Sequence, residues 1–288
     1  MRDYVIYTDS GCDISPAKLA EWGVPYKSLT FRFNGEEKEY ENGEMDIKAF
    51  YDKMREGGVA KTAAVNKETF ALAFRALLDA GKDILYIGFS TGLSTTYNSA
   101  RLAAAELAGD YPDAKILTVD TLAASAGQGL LVYLATEKKA AGATIEECAA
   151  YIEEIKLHMC HWFTVDDLVY LKRGGRVSGA AAFFGNALGI KPVMHVDNEG
   201  HLVNVMKVRG RRTAINTMAD KLGETALDAK NGKIFISHGD CLADAEYLAS
   251  VIAEKFGGQV EIITDVGAVI GAHSGPGTLA LFFLGSER

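Results

Sequence analysis

The segment Gly88-Phe-Ser-Thr-Gly-Leu-Ser-Thr-Thr-Tyr97 crowds hydroxyls and two glycines between a β-rich run and a helical run. Outside the carboxyl end of a strand in an α/β sheet, free N–H groups and the positive end of the following helix attract an anion. Ser94, Thr95 and Thr96 can add donors there, so a carboxylate or phosphate fits. Ser94 also reads as an ordinary helix cap. A second cluster, Gly267-Ala-Val-Ile-Gly-Ala-His273-Ser-Gly-Pro-Gly277, places an imidazole among residues too small to cover it, where glycines allow close approach of a ligand. A third, Leu171-Lys-Arg173-Gly-Gly-Arg176, is a basic turn in an acidic chain and also reads as a solvated helix end.

Gly88-Phe-Ser90-Thr-Gly92 matches the nucleophile-elbow pattern, and Asp265 and His273 follow in the chain order of an α/β-hydrolase triad. A true elbow sets its serine at the strand-to-helix corner, whereas here a further Gly-Leu-Ser-Thr-Thr intervenes. A serine hydrolase using Ser90 or Ser94 with His273 is therefore the alternative reading. His158, Cys160 and His161 lack a second ligand pair at metal-binding spacing, so no metal site is expected. Walker A and dinucleotide Gly-x-Gly-x-x-Gly patterns are absent, so no nucleotide cofactor is expected.

The elements that must position these groups alternate between strand and helix. Tyr4 to Thr8 reads as a strand, and Ser15-Pro16 supplies a cap and first-turn proline for a helix through Trp22. Asp83 to Phe89 (strand), Ser94 to Leu107 (helix), Ala114 to Val119 (strand) and Leu122 to Ala141 (helix) repeat the unit, which predicts a parallel sheet covered by helices. Thr144-Ile-Glu-Glu147 is a capping box opening a helix to Lys156, near which the first domain should end. Beyond it come Cys160 to Val165, an irregular Gly/Ala-rich stretch from Gly174 to Gly189, two strands around Asp197-Asn-Glu-Gly200 that look like a hairpin, and more βα alternation. The expectation is an α/β protein with an N-terminal parallel-sheet domain (1–156) and a C-terminal α+β domain (157–288), with a ligand cleft between them. The apolar stretch Val177 to Ile190, with Phe183 and Phe184, suits either a buried helix or a narrow tunnel wall.

A chain of 288 residues with 48% hydrophobic and 24% charged content buries a full core. Its net charge of −8 argues against nucleic acid as a partner. Four scattered cysteines and the lack of a signal-peptide pattern point to the cytoplasm. The most apolar run, Gly267 to Leu284, is broken by His273, Ser274, Gly275 and Pro276, so stable membrane insertion is not expected and any lipid must be held in a pocket.

In this order, several motifs resemble the DegV family, the fatty-acid-binding subunits (FakB type) of bacterial fatty acid kinase. They are Thr8-Asp-Ser10, Lys61-Thr62, Gly92-Leu-Ser94-x-Thr-Tyr97 with Ser99-Ala100, Arg173-Gly-Gly-Arg176, Gly189-Ile-Lys-Pro192, Val208-Arg-Gly210 and Gly271-x-His273-x-Gly-Pro-Gly277. The likeness spans nearly the whole chain. It implies two α/β domains with a long-chain fatty acid between them, its carboxylate against Thr62, Ser94, Thr95 and His273. It further implies a ligand-presenting subunit rather than an enzyme in its own right, with a separate ATP-dependent kinase docking at a surface that includes Arg173. Ala63 and Thr95 depart from the Thr-Ser and Leu-Ser-Gly-Thr common among relatives and alter the head-group surroundings. A carrier of another small lipid-like acid keeps the same fold.

Overall fold

The computed structural model describes residues 2–177 and 189–288. In chain order its strands are β1 Tyr4–Asp9, β2 Tyr26–Lys27, β3 Thr30–Phe33, β4 Tyr40–Glu41, β5 Ala60–Ala63, β6 Asp83–Gly88, β7 Ile116–Asp120, β8 Met159–Thr164, β9 Ile190–Val196, β10 Leu202–Arg209, β11 Ile234–His238, β12 Val260–Asp265 and β13 Leu279–Leu284. The helices are α1 Pro16–Glu21, α2 Ile47–Arg55, α3 Lys67–Asp79, α4 Thr96–Asp110, α5 Ala126–Ala140, α6 Ile145–Ile155, α7 Val169–Gly174, α8 Arg211–Thr225, α9 Leu242–Phe256 and α10 Ala268–Ser274.

The first sheet runs β2-β1-β6-β7 with every pair parallel, as the strand and helix alternation predicts. A small antiparallel sheet, β4-β3-β5, hangs beside it. The second sheet runs β10-β9-β8-β13-β11-β12 and is antiparallel except for β11 with β12. The expected hairpin is β9 and β10, closed by the Asp197 carboxylate accepting from the N–H groups of Glu199 and His201.

Helix α5 lies between the two sheets, in one core that joins Leu85 and Ile87 of β6 to Phe163, Phe235 and Phe282 of the second sheet. Residues Ala126 through Val132 are all buried, so the first half of the helix is covered on every face, while Glu137 and Lys138 near its end are exposed. A second core packs α2, α3, α4 and α10 with the small sheet, and a third packs α8 and α9 on the far face of the second sheet.

Two helices start later than their sequences suggest. Helix α4 begins at Thr96, after an extra turn at Ser90–Leu93. Helix α5 begins at Ala126 because Leu122 and Ser125 have φ of 50° and 54°, which an α-helix cannot include. The small sheet is not foreseen from the sequence: its strands are two to four residues long and flank the charged Glu36-Glu37-Lys38-Glu39.

The buried carboxylate of Asp9 fixes the end of the first sheet. Its oxygens accept from Gly11 N (2.9 Å), Phe89 N (3.0 Å) and the Tyr86 hydroxyl (2.6 Å). Burial pushes this carboxyl up, against the three hydrogen bonds that hold it down. The bonds tie the loop after β1 to the turn after β6. Asp9→Ala leaves three buried donors without an acceptor, at about 1 kcal/mol or more each. Urea denaturation should show a loss of at least about 3 kcal/mol; a loss under about 1 kcal/mol would mean that these donors find other partners.

Candidate functional site

A cavity of about 520 Å³ opens beyond the carboxyl end of β6, walled by the turns that follow β6 and β7, by β5 of the small sheet, by the second sheet and by α10. This is the usual volume for a small-molecule site and the usual place for one in an α/β protein. Leu29, Phe89, Phe163, Leu171, Val269 and Phe282 make most of it apolar.

Polar groups gather at Thr62, Ser94, Thr95, Arg176 and His273, all lining the cavity. Thr62 stands on β5, and its Oγ1 lies 2.8 Å from Nε2 of His273 in the last turn of α10. Nδ1 of His273 is buried without a hydrogen bond among the described residues. A Cβ at Gly174 would lie 2.1 Å from that nitrogen, so only glycine lets α7 pack this close to the ring. Burial, helped by the charge of Arg176, pulls the His273 pKa down to about 4, so the ring is neutral near pH 7. A neutral imidazole and a hydroxyl share two protons and use one between them. If Nε2–H donates to Thr62, the threonine proton is free for a ligand; if Nε2 accepts, Nδ1–H stays buried against Gly174. The pair thus offers a donor when Nε2 carries the ring proton.

Ser94 N donates to Ser90 O at 3.0 Å, and Ser94 Oγ accepts from Thr96 N at 3.2 Å and meets Thr96 Oγ1 at 2.9 Å. Ser94 thus stands one residue before the N-cap Thr95, its hydroxyl accepting from the first helical N–H, and its side chain lines the cavity as well. Thr95 is exposed at the start of α4 and makes no side-chain capping bond. Arg176 donates from Nε to Leu93 O at 3.2 Å and from Nη1 to Gly174 O, while Nη2 makes no hydrogen bond to a described residue. Among the described residues of the wall, Arg176 carries the one formal charge.

The hydrolase wiring is not formed. Ser90 is fully buried behind the wall, donating to Gly200 O at 3.0 Å and accepting from Gly92 N at 3.1 Å. Gly200 has φ of 80°, and a Cβ there would lie 2.2 Å from Ser90 Oγ. Asp265 pairs with His238 (3.5 Å) rather than with His273, whose Nε2 faces Thr62. No group of potential metal ligands is found among the described residues. His158 and His161 are each turned to a backbone carbonyl, and Cys160 and His161 point to opposite faces of β8.

Arg173 lies outside the cavity, exposed, with its guanidinium 5.7 Å from the Tyr170 ring centre. The basic turn is thus split: Arg176 faces in and Arg173 faces out. Sequence reasoning also passes over His161, Ser125 and Ser237, which line the wall; a serine inside the apolar run Ile234 to His238 is the signal that was available for Ser237. Phe183 and Phe184 lie outside the described residues. No helix among the described residues is long and apolar enough to cross a membrane.

A family model described as "Uncharacterised protein, DegV family COG1307" matches residues 3–286. The chain belongs to the DegV family. Over its full length it is 43% identical to a DegV domain-containing protein of Clostridium perfringens, covering 99% of that protein. It is 34% identical, over 95% of each chain, to a protein of Thermotoga maritima named a fatty acid-binding protein. A solved structure described as fatty acid binding of a DegV family protein from Thermus thermophilus superposes with a TM-score of 0.88 at 30% identity, covering 99% of this DegV chain and all of that one. The α/β architecture is therefore the DegV architecture.

The lowered pKa of His273 has a consequence for stability. On acidification the unfolded chain takes up this proton near pH 6.5, before the folded one does. The stability is present above pH 6.5 and is lost as pH falls towards 4. Asp13, pushed up to about 7 by burial, acts in the opposite sense but is common to wild type and variant. The stability of the wild type relative to His273→Gln should therefore fall by up to about 3 kcal/mol between pH 7 and pH 4. A pH-independent difference in chemical denaturation would show that the ring is not held neutral.

Proposed function

We propose that this DegV protein binds a long-chain fatty acid in the cavity, with the carboxylate at Thr62, Ser94, Thr95 and His273 and the acyl chain along the apolar wall. The carrying observation is the Thr62–His273 pair at the polar part of an otherwise apolar cavity. A buried carboxylate is costly unless hydrogen-bonded and charge-balanced. Hydroxyl and imidazole donors meet the first need and the Arg176 guanidinium the second. The relatives described as fatty acid-binding proteins support the same ligand class.

The bound acid is then presented to a separate ATP-dependent kinase. A carboxylate oxygen attacks the γ-phosphorus of ATP, ADP leaves, and an acyl phosphate forms on the carrier. Family resemblance and the outward-facing Arg173, which is free of the head-group site, support this reading. Two domains, 1–156 and 157–288, holding the ligand between them belong to the same proposal. A serine hydrolase finds no support in the geometry, since neither Ser90 nor Ser94 bonds to His273 and no carboxylate among the described residues orients the ring.

Native mass spectrometry of purified protein, followed by denaturing lipid extraction, should show a stoichiometric fatty acid. Protein that carries none and takes up none when offered would overturn the reading, and a different lipid-like acid would revise the ligand. Thr62→Val and His273→Ala should each weaken fatty acid binding roughly 10- to 150-fold, the cost of a lost hydrogen bond to a charged group. Arg173→Ala should leave binding unchanged and slow phosphorylation by the kinase. Unaltered affinity in both cavity variants would remove the head-group assignment.

A further inference from the structure

One face of the second sheet floors the cavity, and the depth of the cavity is legible along two of its strands. β13 starts beside the head-group residues: Thr278 Oγ1 donates at 2.7 Å to the carbonyl of Gly275, which lies two residues past His273. From there the chain turns Thr278, Ala280 and Phe282 to the cavity in succession, each about 7 Å beyond the last. Next to Ala280 and Phe282, β8 sets Phe163 and His161. The nearer pair keeps free surface, 6% for Ala280 and 7% for Phe163, whereas the farther pair keeps 2% each. β13 is flanked by β8 and β11, and its other face, at Leu279 and Leu281, is filled by the core under α8 and α9. What Ala280 leaves open therefore faces the cavity.

Helix α5 closes the inner end. A Cβ on Gly127 would lie 2.5 Å from His161 Nε2 and 2.8 Å from Phe282 Cδ1, so the helix backbone rests directly on the farther pair. Towards β11, Ser125 Oγ meets Ser237 Oγ at 2.9 Å, and Ser237 is the neighbour of Ala280 in the sheet. The start of α5 thus touches the sheet on one side of Ala280 and just beyond it. Ala280 holds the last open place on the floor along β13. Every other residue of this strand is leucine or phenylalanine. A methyl group under open volume forfeits packing contacts, so a strand that served only to join the two sheets would carry a larger side chain here.

We infer that Ala280 is a specificity-determining residue: the space over its methyl group takes the terminal carbons of the acyl chain, and the size of this side chain sets the longest acid that the protein holds well. The inference rests on the fatty acid reading above. It concerns the far end of the ligand and leaves the head-group residues as they are.

The test is the affinity of straight-chain acids from dodecanoic to eicosanoic acid for wild-type protein, Ala280→Val and Ala280→Leu. The longest acid that the wild type binds well should weaken roughly 15-fold in Ala280→Val and roughly 60-fold in Ala280→Leu, about 4-fold for each methylene displaced. Acids shorter by about four carbons should bind both variants as they bind the wild type. Valine suits a central strand, so the first variant carries the test even where leucine overpacks the site. In wild-type protein with ¹³C-labelled alanine methyl groups, the Ala280 resonance should move with the longest bound acid and stay with the shortest, a readout independent of any variant. Equal weakening of all the acids, unchanged affinities in a folded variant, or an Ala280 methyl that no acid moves would overturn the inference. Wild-type protein that binds none of the acids would instead overturn the fatty acid reading, and this inference with it.

Discussion

The hydroxyl-rich turn at the cavity depends on one buried carboxylate. Asp9 ends β1, yet its oxygens hold the backbone of Phe89 at the end of β6 and the hydroxyl of Tyr86 inside that strand. The turn that follows, Ser90 to Thr95, is held just before its start by this bond and at its first residue by Ser90, which reaches across to Gly200 in the β9–β10 hairpin. Ser94 reaches the cavity wall because both anchors are set. The arrangement uses buried polar groups where apolar packing would be cheaper, and in return it fixes a loop whose own sequence, rich in glycine and hydroxyls, favours no single conformation.

Charge is divided sparingly in this site. His273 is neutral, Thr62 is neutral, and Arg176 is the one formal charge among the described wall residues. Such a site discriminates by geometry at the hydrogen bonds and by charge at a single guanidinium. Arg176 is itself held by two backbone carbonyls, Leu93 O and Gly174 O, one from each half of the chain. Its position therefore reports how the two halves sit together.

The sequence displays much of this, unevenly. The strand and helix alternation predicts the parallel sheet, and the Thr144–Glu147 capping box forms as written. The hydroxyl-rich turn and the glycine-bracketed histidine are legible because their residue types are unusual for their setting. The Thr62–His273 contact is not legible from composition, since the two residues stand 211 positions apart and only the resemblance to a family puts them in one sentence. Nor does the sequence separate Arg173 from Arg176, because the inward or outward turn of each depends on how α7 ends. Ser125 is the hardest case: φ of 54° with ψ of −146° is a backbone state that glycine ordinarily occupies, and nothing around a serine announces it. It shortens α5 at its start and turns the serine hydroxyl to Asp13.

The first half of helix α5, buried between the two sheets, gives the cavity a property that a surface cleft lacks. The cavity walls, at Phe163 and Phe282, belong to the same core that α5 fills. A molecule held there is solvated by the protein interior and counts as part of the packing that joins the halves. By linkage, its affinity and the cohesion of the two sheets are one free energy measured from two ends.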